Sequence, residues 1–338
     1  MKSTSPYAAP PRTLPVRPPL QGIDDEQSSE SLVSWLSRLA WANGFRDVHT
    51  LLAEEGISFS RASDVLPRSR QLQLLQLGGL DEHAVKSICL GPILALIGAN
   101  REPPRRMTRW ILRSEYAGEL LPHQVCVACL REQPVVYWNR LGRTSFTTQC
   151  HLHKVLLVDH CPSCGLQIGL TKVRAAPMTQ CSFCHLDFRT IQSPSLSTLN
   201  LVPRHWFDFA GESKPPRGGE RISLDVLWRW IDTTLRFACD PSNAEALLLA
   251  PIAQPHHRLF AKLSKDPWTQ FDFHRAGTRH ELLLFIRWLI EGWPERGFEL
   301  AAQTQMPKSS FARISGGSST RIRHDLSLRK PSSSGFGT

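Results

Sequence analysis

The residues of this chain that could do chemistry form four short pairs of metal-binding side chains. These pairs are Cys126-x-x-Cys129, Cys150-x-x-His153, Cys161-x-x-Cys164 and Cys181-x-x-Cys184. Two intervening residues let both donors of a pair face one ion across a tight turn, and a Zn²⁺ ion needs two such pairs to complete a tetrahedron. The pattern therefore predicts two bound zinc ions.

The spacing between the pairs favours sequential pairing. The first and second pairs are separated by 20 residues and the third and fourth by 16, which is enough for a β-hairpin and typical of zinc ribbons. The first predicted ligand set is Cys126, Cys129, Cys150 and His153. The second is Cys161, Cys164, Cys181 and Cys184. A cross-braced arrangement, in which the first and third pairs share an ion, stays open, as does His151 in place of His153.

Both predicted sites are structural rather than catalytic. A catalytic zinc keeps a coordination position for water, whereas each of these ions already has four protein ligands. The sequence contains no HExxH helix, no deaminase signature, no G-x-S-x-G elbow and no Walker A loop. We therefore expect no enzymatic activity.

The use of cysteine indicates a reducing compartment. Seven of the nine cysteines lie within residues 126–184, and such a cluster favours metal binding over disulfides. Cys89 and Cys239 lie in apolar or amphipathic segments, where they are expected to be buried small hydrophobes. The chain has no run of 18 apolar residues, and its N-terminus has prolines where a signal peptide needs an apolar stretch. These features predict a cytoplasmic protein that does not enter a membrane.

The positive charge of the chain is unevenly distributed. The formal net charge is +10, and the tail from Gln303 onward carries six basic residues against Asp325 alone. Such a bias suits a phosphate backbone or an acidic partner, with a solvated surface as the alternative. Trp110 lies inside a second basic stretch, where it either stacks on a base or packs in a core. The predicted nucleic-acid contacts in that stretch are Arg101, Arg105, Arg106, Arg109 and Arg113.

Apolar residues at helical spacing predict helices on both sides of the zinc segment. On the N-terminal side they cover residues 31–45, 46–55, 61–66, 71–78 and 81–98, with Ser28 or Ser29 as the first cap and Asp81 as the last. Three short helices with glycine-containing turns form a helix-turn-helix-like unit. On the C-terminal side they cover residues 223–238, 243–250, 256–264 and 278–292. The predicted fold is mainly α with a small zinc-ribbon β module.

Composition divides the chain into six predicted parts. They are an extended Pro-rich arm (1–22), an N-terminal helix-turn-helix-like helical domain (23–114), tandem zinc ribbons (115–192), a linker (193–220), a C-terminal helical domain (221–302) and a basic, disordered tail (303–338).

The order of these features resembles the TniQ family. The stretches LPVRPPL from Leu14 and SESLVSWLSRLAWANG from Ser29 look like the opening of that family, and the zinc segment adds CVACL, YW, CHLHKVLL and CPSCG in the same order. The resemblance runs from about Leu14 to Cys184. It departs from the family at Ser29, where glycine is usual, in the extra length of residues 23–27, and in the missing proline after Cys126.

The resemblance implies an accessory role in DNA transposition. Proteins of this kind link a target, either DNA or a guide-RNA surveillance complex, to an AAA+ ATPase regulator of the TniB or TnsC type and so to the transposase. It also implies that a homodimer can form. The alternative function is a stand-alone zinc-ribbon and helix-turn-helix transcription regulator, which would bind a DNA site without an ATPase partner.

Overall fold

The computed structural model describes most of the chain outside its two ends. The described residues are 16–22, 29–57, 72, 75–76, 78–96, 110–114, 120–171, 177–197, 202, 224–292 and 295–304. They are mainly helical, as predicted. No helix among them is both long and apolar enough to cross a membrane.

Contacts divide the chain into two compact units. The first holds the described residues within 1–95, 99–201 and 275–279, and the second holds those within 96–98, 202–274 and 280–338. The finer division into six parts stays a prediction.

Helices of the first unit begin where a side chain can cap them. Their bounds are α1 (Leu32–Ala42), α2 (Val48–Glu54), α3 (Glu82–Ile88) and α4 (Gly91–Leu96). The cap of α1 is Ser31, whose hydroxyl accepts the amide of Ser34 at 3.1 Å. The predicted cap, Ser28 or Ser29, was wrong, because the extended backbone of Ser31 places its own hydroxyl over the free amides of the first turn.

The predicted helix from Asp81 to Gly98 is divided in two. Asp81 caps α3 as expected, since its carboxylate accepts the amide of Ala84 at 2.7 Å. The backbone then becomes extended at Cys89, and α4 starts beside Pro92. Proline has no amide hydrogen and clashes with the carbonyl four residues earlier, so a continuous helix cannot pass it. The helix predicted at residues 61–66 lies outside the described residues, and the helix-turn-helix arrangement stays a prediction.

The core under α1 and α2 follows the helical spacing of their apolar residues. The buried side chains there include Trp35, Leu36, Leu39, Leu51 and Leu75. Cys89 is buried in the same cluster, which confirms the prediction for that cysteine.

The zinc segment contains less regular β structure than expected. Strand β1 (Leu120–Pro122) pairs antiparallel with β2 (Gly169–Thr171), and the short helix α5 covers Val127–Glu132. These two strands do not lie within one ligand loop, and the other β contacts among the described residues are isolated bridges. The zinc-ribbon description therefore stays a prediction.

A backbone pairing joins the beginning of the helical segment to the zinc segment. Residues 29–31 lie antiparallel to residues 138–140, with a bridge between Glu30 and Asn139. The two amide–carbonyl bonds that flank this bridge measure 2.8 and 2.9 Å. The predicted N-terminal and zinc domains are thus held together by main-chain hydrogen bonds within the first unit.

The second unit is helical. Its helices are α6 (Leu224–Cys239), α7 (Pro241–Leu249), α8 (His257–Leu263), α9 (Ala276–Glu291, whose first residues count with the first unit) and α10 (Glu295–Gln303). The first four agree with the predicted helices within a few residues, whereas α10 was not predicted. Trp228 and Trp230 are buried in this unit, and so is Cys239, which confirms the prediction for that cysteine.

Candidate metal centre

Three of the four ligand pairs share one backbone geometry. In each, the residue after the second ligand has a left-handed conformation: Lys154 (φ 52°), Gly165 (φ 73°) and His185 (φ 60°). Its amide donates to the carbonyl of the first ligand at 2.8–3.0 Å. An isolated antiparallel bridge closes each of these turns. The repeated turn explains how two-residue spacing directs both side chains of a pair to the same side.

The first pair is positioned by a helix instead. Cys126 is the N-terminal cap of α5, and its sulfur accepts the amide of Cys129 at 3.5 Å. The first turn of a helix keeps residues three apart on one face. Both sulfurs therefore face the same point without the left-handed turn that the other three pairs share.

The structure brings the eight predicted ligands together in two groups. One contains Cys126, Cys129, Cys150 and His153, and the other contains Cys161, Cys164, Cys181 and Cys184. Within each group the donor atoms all lie within 4.8 Å of one another. This grouping is sequential rather than cross-braced, and it includes His153 instead of His151.

Distances between the donor atoms match a tetrahedral zinc ion. The sulfur–sulfur distances are 3.7 Å for Cys129–Cys150, 3.5 Å for Cys161–Cys184 and 3.7 Å for Cys164–Cys181. A tetrahedron with zinc–sulfur bonds of about 2.3 Å places its sulfurs roughly 3.8 Å apart. A disulfide would require about 2.05 Å. The donors thus fit a bound ion, and the cysteines are free thiols.

The imidazole of His153 faces the first group through one ring nitrogen. Its Nδ1 lies 3.3–3.5 Å from the sulfurs of Cys126, Cys129 and Cys150. For zinc–nitrogen and zinc–sulfur bonds of ordinary length, the expected separation is about 3.6 Å. Imidazole nitrogen is a usual zinc donor, and Nδ1 is the atom that would bind the metal here.

Glu132 holds the other side of this imidazole. Its carboxylate Oε2 lies 2.8 Å from Nε2 of His153. A carboxylate behind a ligating histidine fixes the ring orientation and makes the ligand more basic. Sequence reasoning did not find this residue, because Glu132 and His153 are 21 positions apart and only the fold brings them together.

Each group contains one sulfur that ionises readily. The backbone amide of Leu186 lowers the pKa of the Cys184 thiol to about 6. Hydrogen bonds from Cys126 and Cys129 lower the pKa of Cys150. Since the thiolate is the form that binds metal, binding of a dication would displace the protons of the remaining thiols.

The two groups differ in their surroundings. Cys161 and Cys181 belong to a hydrophobic cluster with Trp138, Ile168 and Phe188. The first group instead borders a cavity of about 240 Å³ that all four of its donors line. The first group has two buried and two partly exposed ligands, whereas the second contains the exposed Cys184, so the second ion would be reached from solvent on the Cys184 side.

A buried ion pair lies next to the backbone that leads into the second ligand group. Asp159, two residues before Cys161, accepts a hydrogen bond from Arg279 at 2.8 Å and another from the backbone amide of Ala276 at 2.6 Å. Its other oxygen lies 2.9 Å from Nδ1 of His160. Burial alone would raise the pKa of Asp159, but these partners outweigh it and lower the pKa. The carboxylate thus stays charged in the interior.

Arg279 extends this contact to the first half of the zinc segment. Its side chain is fully buried and donates to the carbonyl of Ser145 at 2.7 Å and to the side-chain oxygen of Gln124 at 3.1 Å. One guanidinium thereby joins three separate stretches of the first unit. The sequence offered no signal for it, because the partners are 120 to 155 positions away.

The predicted nucleic-acid contacts are not brought together by the described structure. Arg101, Arg105, Arg106 and Arg109 lie outside the described residues. Arg113 is half-buried, and its carbonyl accepts the side-chain amide of Gln167 at 2.8 Å. Trp110 is buried and lies edge-on to Phe146, which identifies it as a core residue.

A comparison with protein families matches residues 25–157 to TniQ. No curated protein matches the chain significantly. The matched range contains α1 to α5 and the whole first ligand group, and it ends before the second group. The match identifies a TniQ domain over residues 25–157, and this domain indicates a transposition-associated accessory protein.

Proposed function

We propose that this protein links a transposition target to an AAA+ ATPase regulator, and through it to the transposase, without catalysing a reaction itself. The observation that carries the proposal is the TniQ match over residues 25–157. The target is DNA or a guide-RNA complex, and the ATPase is of the TniB or TnsC type.

The metal centres support a scaffold rather than an active site. Each group offers four protein donors, so a tetrahedral zinc ion would have no position left for a reacting water. Zinc would supply folding free energy where short β segments cannot bury enough apolar surface. Thiolate ligands also need a reducing compartment, for which the cytoplasm is the natural choice.

The connection between the helical and metal-binding segments of the first unit supports the proposal. α1 and α2 form one helical body, and main-chain pairing fixes it to the metal-binding segment. Such a connected body can hold two bound partners in a defined position relative to each other. The arginines of residues 101–113 remain the predicted phosphate contacts.

A co-sedimentation experiment tests the proposal. The purified, zinc-loaded protein is mixed with the AAA+ ATPase encoded beside it, with ATP analogue or ADP, and with or without target DNA. We expect a complex that forms with the ATP analogue and is weakened by ADP. DNA affinity should fall steeply as salt rises, because bound phosphates release counterions.

The matched control is a neighbouring ATPase that cannot bind nucleotide. Loss of the complex with this control supports a nucleotide-dependent link. Tight binding to one DNA sequence with no ATPase association in any nucleotide state contradicts the proposal and favours the transcription-regulator alternative.

A further inference from the structure

A row of cations lies on the exposed side of α8 and the turn after it. Arg258, Lys262 and Lys265 follow one another at intervals of four and three residues, which places them on the same side of a helical segment. All three are exposed, whereas Leu259 and Leu263 point into the core. The face therefore presents positive charge to solvent over about 10 Å of helix length.

A flat aromatic surface follows directly. The rings of Trp268 and Phe273 are stacked, with centroids 4.9 Å apart and planes within 11°. Trp268 is nevertheless 42% exposed. An indole held flat against another ring has lost much of its rotamer freedom already, so a second flat group can stack on it at low entropic cost.

The loop that carries Trp268 is braced from inside. The carboxylate of Asp266 accepts the amide of Trp268 at 3.0 Å and also lies 3.2 Å from Nδ1 of the buried His274. Asp266, which follows Lys265 in the sequence, is thus engaged within its own loop. These two contacts hold the backbone that carries Trp268.

We propose that Arg258, Lys262, Lys265 and Trp268 form a binding surface for an unpaired stretch of DNA. The cations would follow about three phosphates of one strand, and a base would stack on the open face of the indole. Base faces are hidden inside a duplex, so the aromatic surface selects an unpaired strand. An acidic peptide would meet the cations but leave the stacked rings unused.

This inference rests on the proposed function, because a transposition target must be DNA for the surface to be used. It adds a contact in the second unit, outside the residues that match TniQ. None of these four residues belongs to the predicted arginine contacts of residues 101–113.

The experiment measures fluorescence anisotropy of a labelled oligothymidylate of about 12 nucleotides with the full-length zinc-loaded protein over a range of salt. For the double variant Arg258→Gln/Lys265→Gln we expect the slope of log affinity against log salt to become shallower by about 1.4. For Trp268→Ala we expect roughly 5- to 150-fold weaker binding at every salt concentration, with an unchanged slope.

Matched controls exist for both variants. Arg236→Gln/Arg287→Gln removes two cations of the second unit that pair with acids on their own helices. Trp41→Ala removes a tryptophan of similar exposure, 45%, from the first unit. Equal effects of test and control variants overturn the proposal, as does a duplex or an RNA strand that competes as well as single-stranded DNA.

Stability is checked by the melting temperature of each variant. If Trp268→Ala lowers the melting temperature, the variant Trp268→Tyr is measured instead. Retained affinity for the oligothymidylate with that smaller ring supports stacking. A double charge variant that leaves the salt slope unchanged overturns the proposal whatever the tryptophan variant does. Variants that no longer bind DNA but still bind the ATPase test this inference independently of the proposed link to the ATPase.

Discussion

Replacing Arg279 by methionine gives the most direct test of how the first unit is held together. The substitution keeps an unbranched side chain of similar length and removes only the guanidinium. It leaves the buried carboxylate of Asp159 without its cation and leaves the carbonyl of Ser145 without that donor.

The expected magnitude follows from the burial of the pair. Removing one partner of a buried ion pair costs about 3–5 kcal/mol, because the remaining charge stays in a low-dielectric interior. About 4 kcal/mol lowers the melting temperature of a unit of this size by roughly 8–16 °C. The His160 and Ala276 contacts of Asp159 remain and place the cost within this range rather than above it.

Zinc release on heating is the appropriate measurement. A chromophoric chelator reports loss of the ions, and both ligand groups lie in the first unit, so the signal follows that unit alone. We expect Arg279→Met to release zinc well below the wild-type temperature. The double variant Asp159→Asn/Arg279→Met should lose less than the sum of its single variants, since no unpaired charge stays buried.

Lys86→Met is the matched control in the first unit. Lys86 pairs with Glu82 at 2.7 Å, but this pair lies at the surface, where such contacts contribute less than about 1 kcal/mol. If Arg279→Met and Lys86→Met release zinc within about 2 °C of each other, the reasoning about the buried pair is refuted.

Three further predictions concern the metal centres and the N-terminal helix. Cys161→Ser/Cys164→Ser should reduce the zinc content by one ion per chain and lower thermal stability; two ions and an unchanged melting temperature would show that the second group does not bind zinc. Glu132→Gln should weaken zinc binding at the first group by roughly 10- to 100-fold in chelator competition, because His153 loses its oriented carboxylate; unchanged zinc affinity would mean that the contact has no such role. Burial raises the pKa of Glu30 from 4.5 to about 7. Between these two pH values the folded protein binds more protons than the unfolded chain, so the free energy of unfolding falls as pH rises. Wild type should therefore lose up to about 3 kcal/mol relative to Glu30→Gln between pH 5 and pH 8 in denaturant titrations, and a constant difference would contradict the assignment.

The two groups of donor residues could be predicted because tetrahedral zinc coordination leaves little freedom in the spacing of its ligands. Two-residue spacing is enough to identify a pair, and the loop lengths favour sequential over cross-braced pairing. The fold brings the same eight residues together. Helices such as α6 and α9 were also predictable, since their apolar residues recur at helical spacing over several turns.

Contacts distant in sequence could not be predicted in the same way. Glu30 looks like an acid of the first turn of α1, but the fold buries it beside Arg38, Ser34 and Gln21. Arg279 looks like a polar residue of an amphipathic helix, although it is fully buried. Periodicity describes which side of a helix is apolar and contains no information on which buried polar groups will meet.

The antiparallel pairing between residues 29–31 and 138–140 has a consequence for how such proteins can be rearranged. A fragment cut between the predicted helical and zinc domains would leave main-chain donors and acceptors without partners on both pieces. If one of the two segments were exchanged for that of a distant relative, the new segment would have to form the same backbone hydrogen bonds in the same register. These two stretches should therefore be inherited together, as one piece of protein, even though their compositions look like those of separate modules.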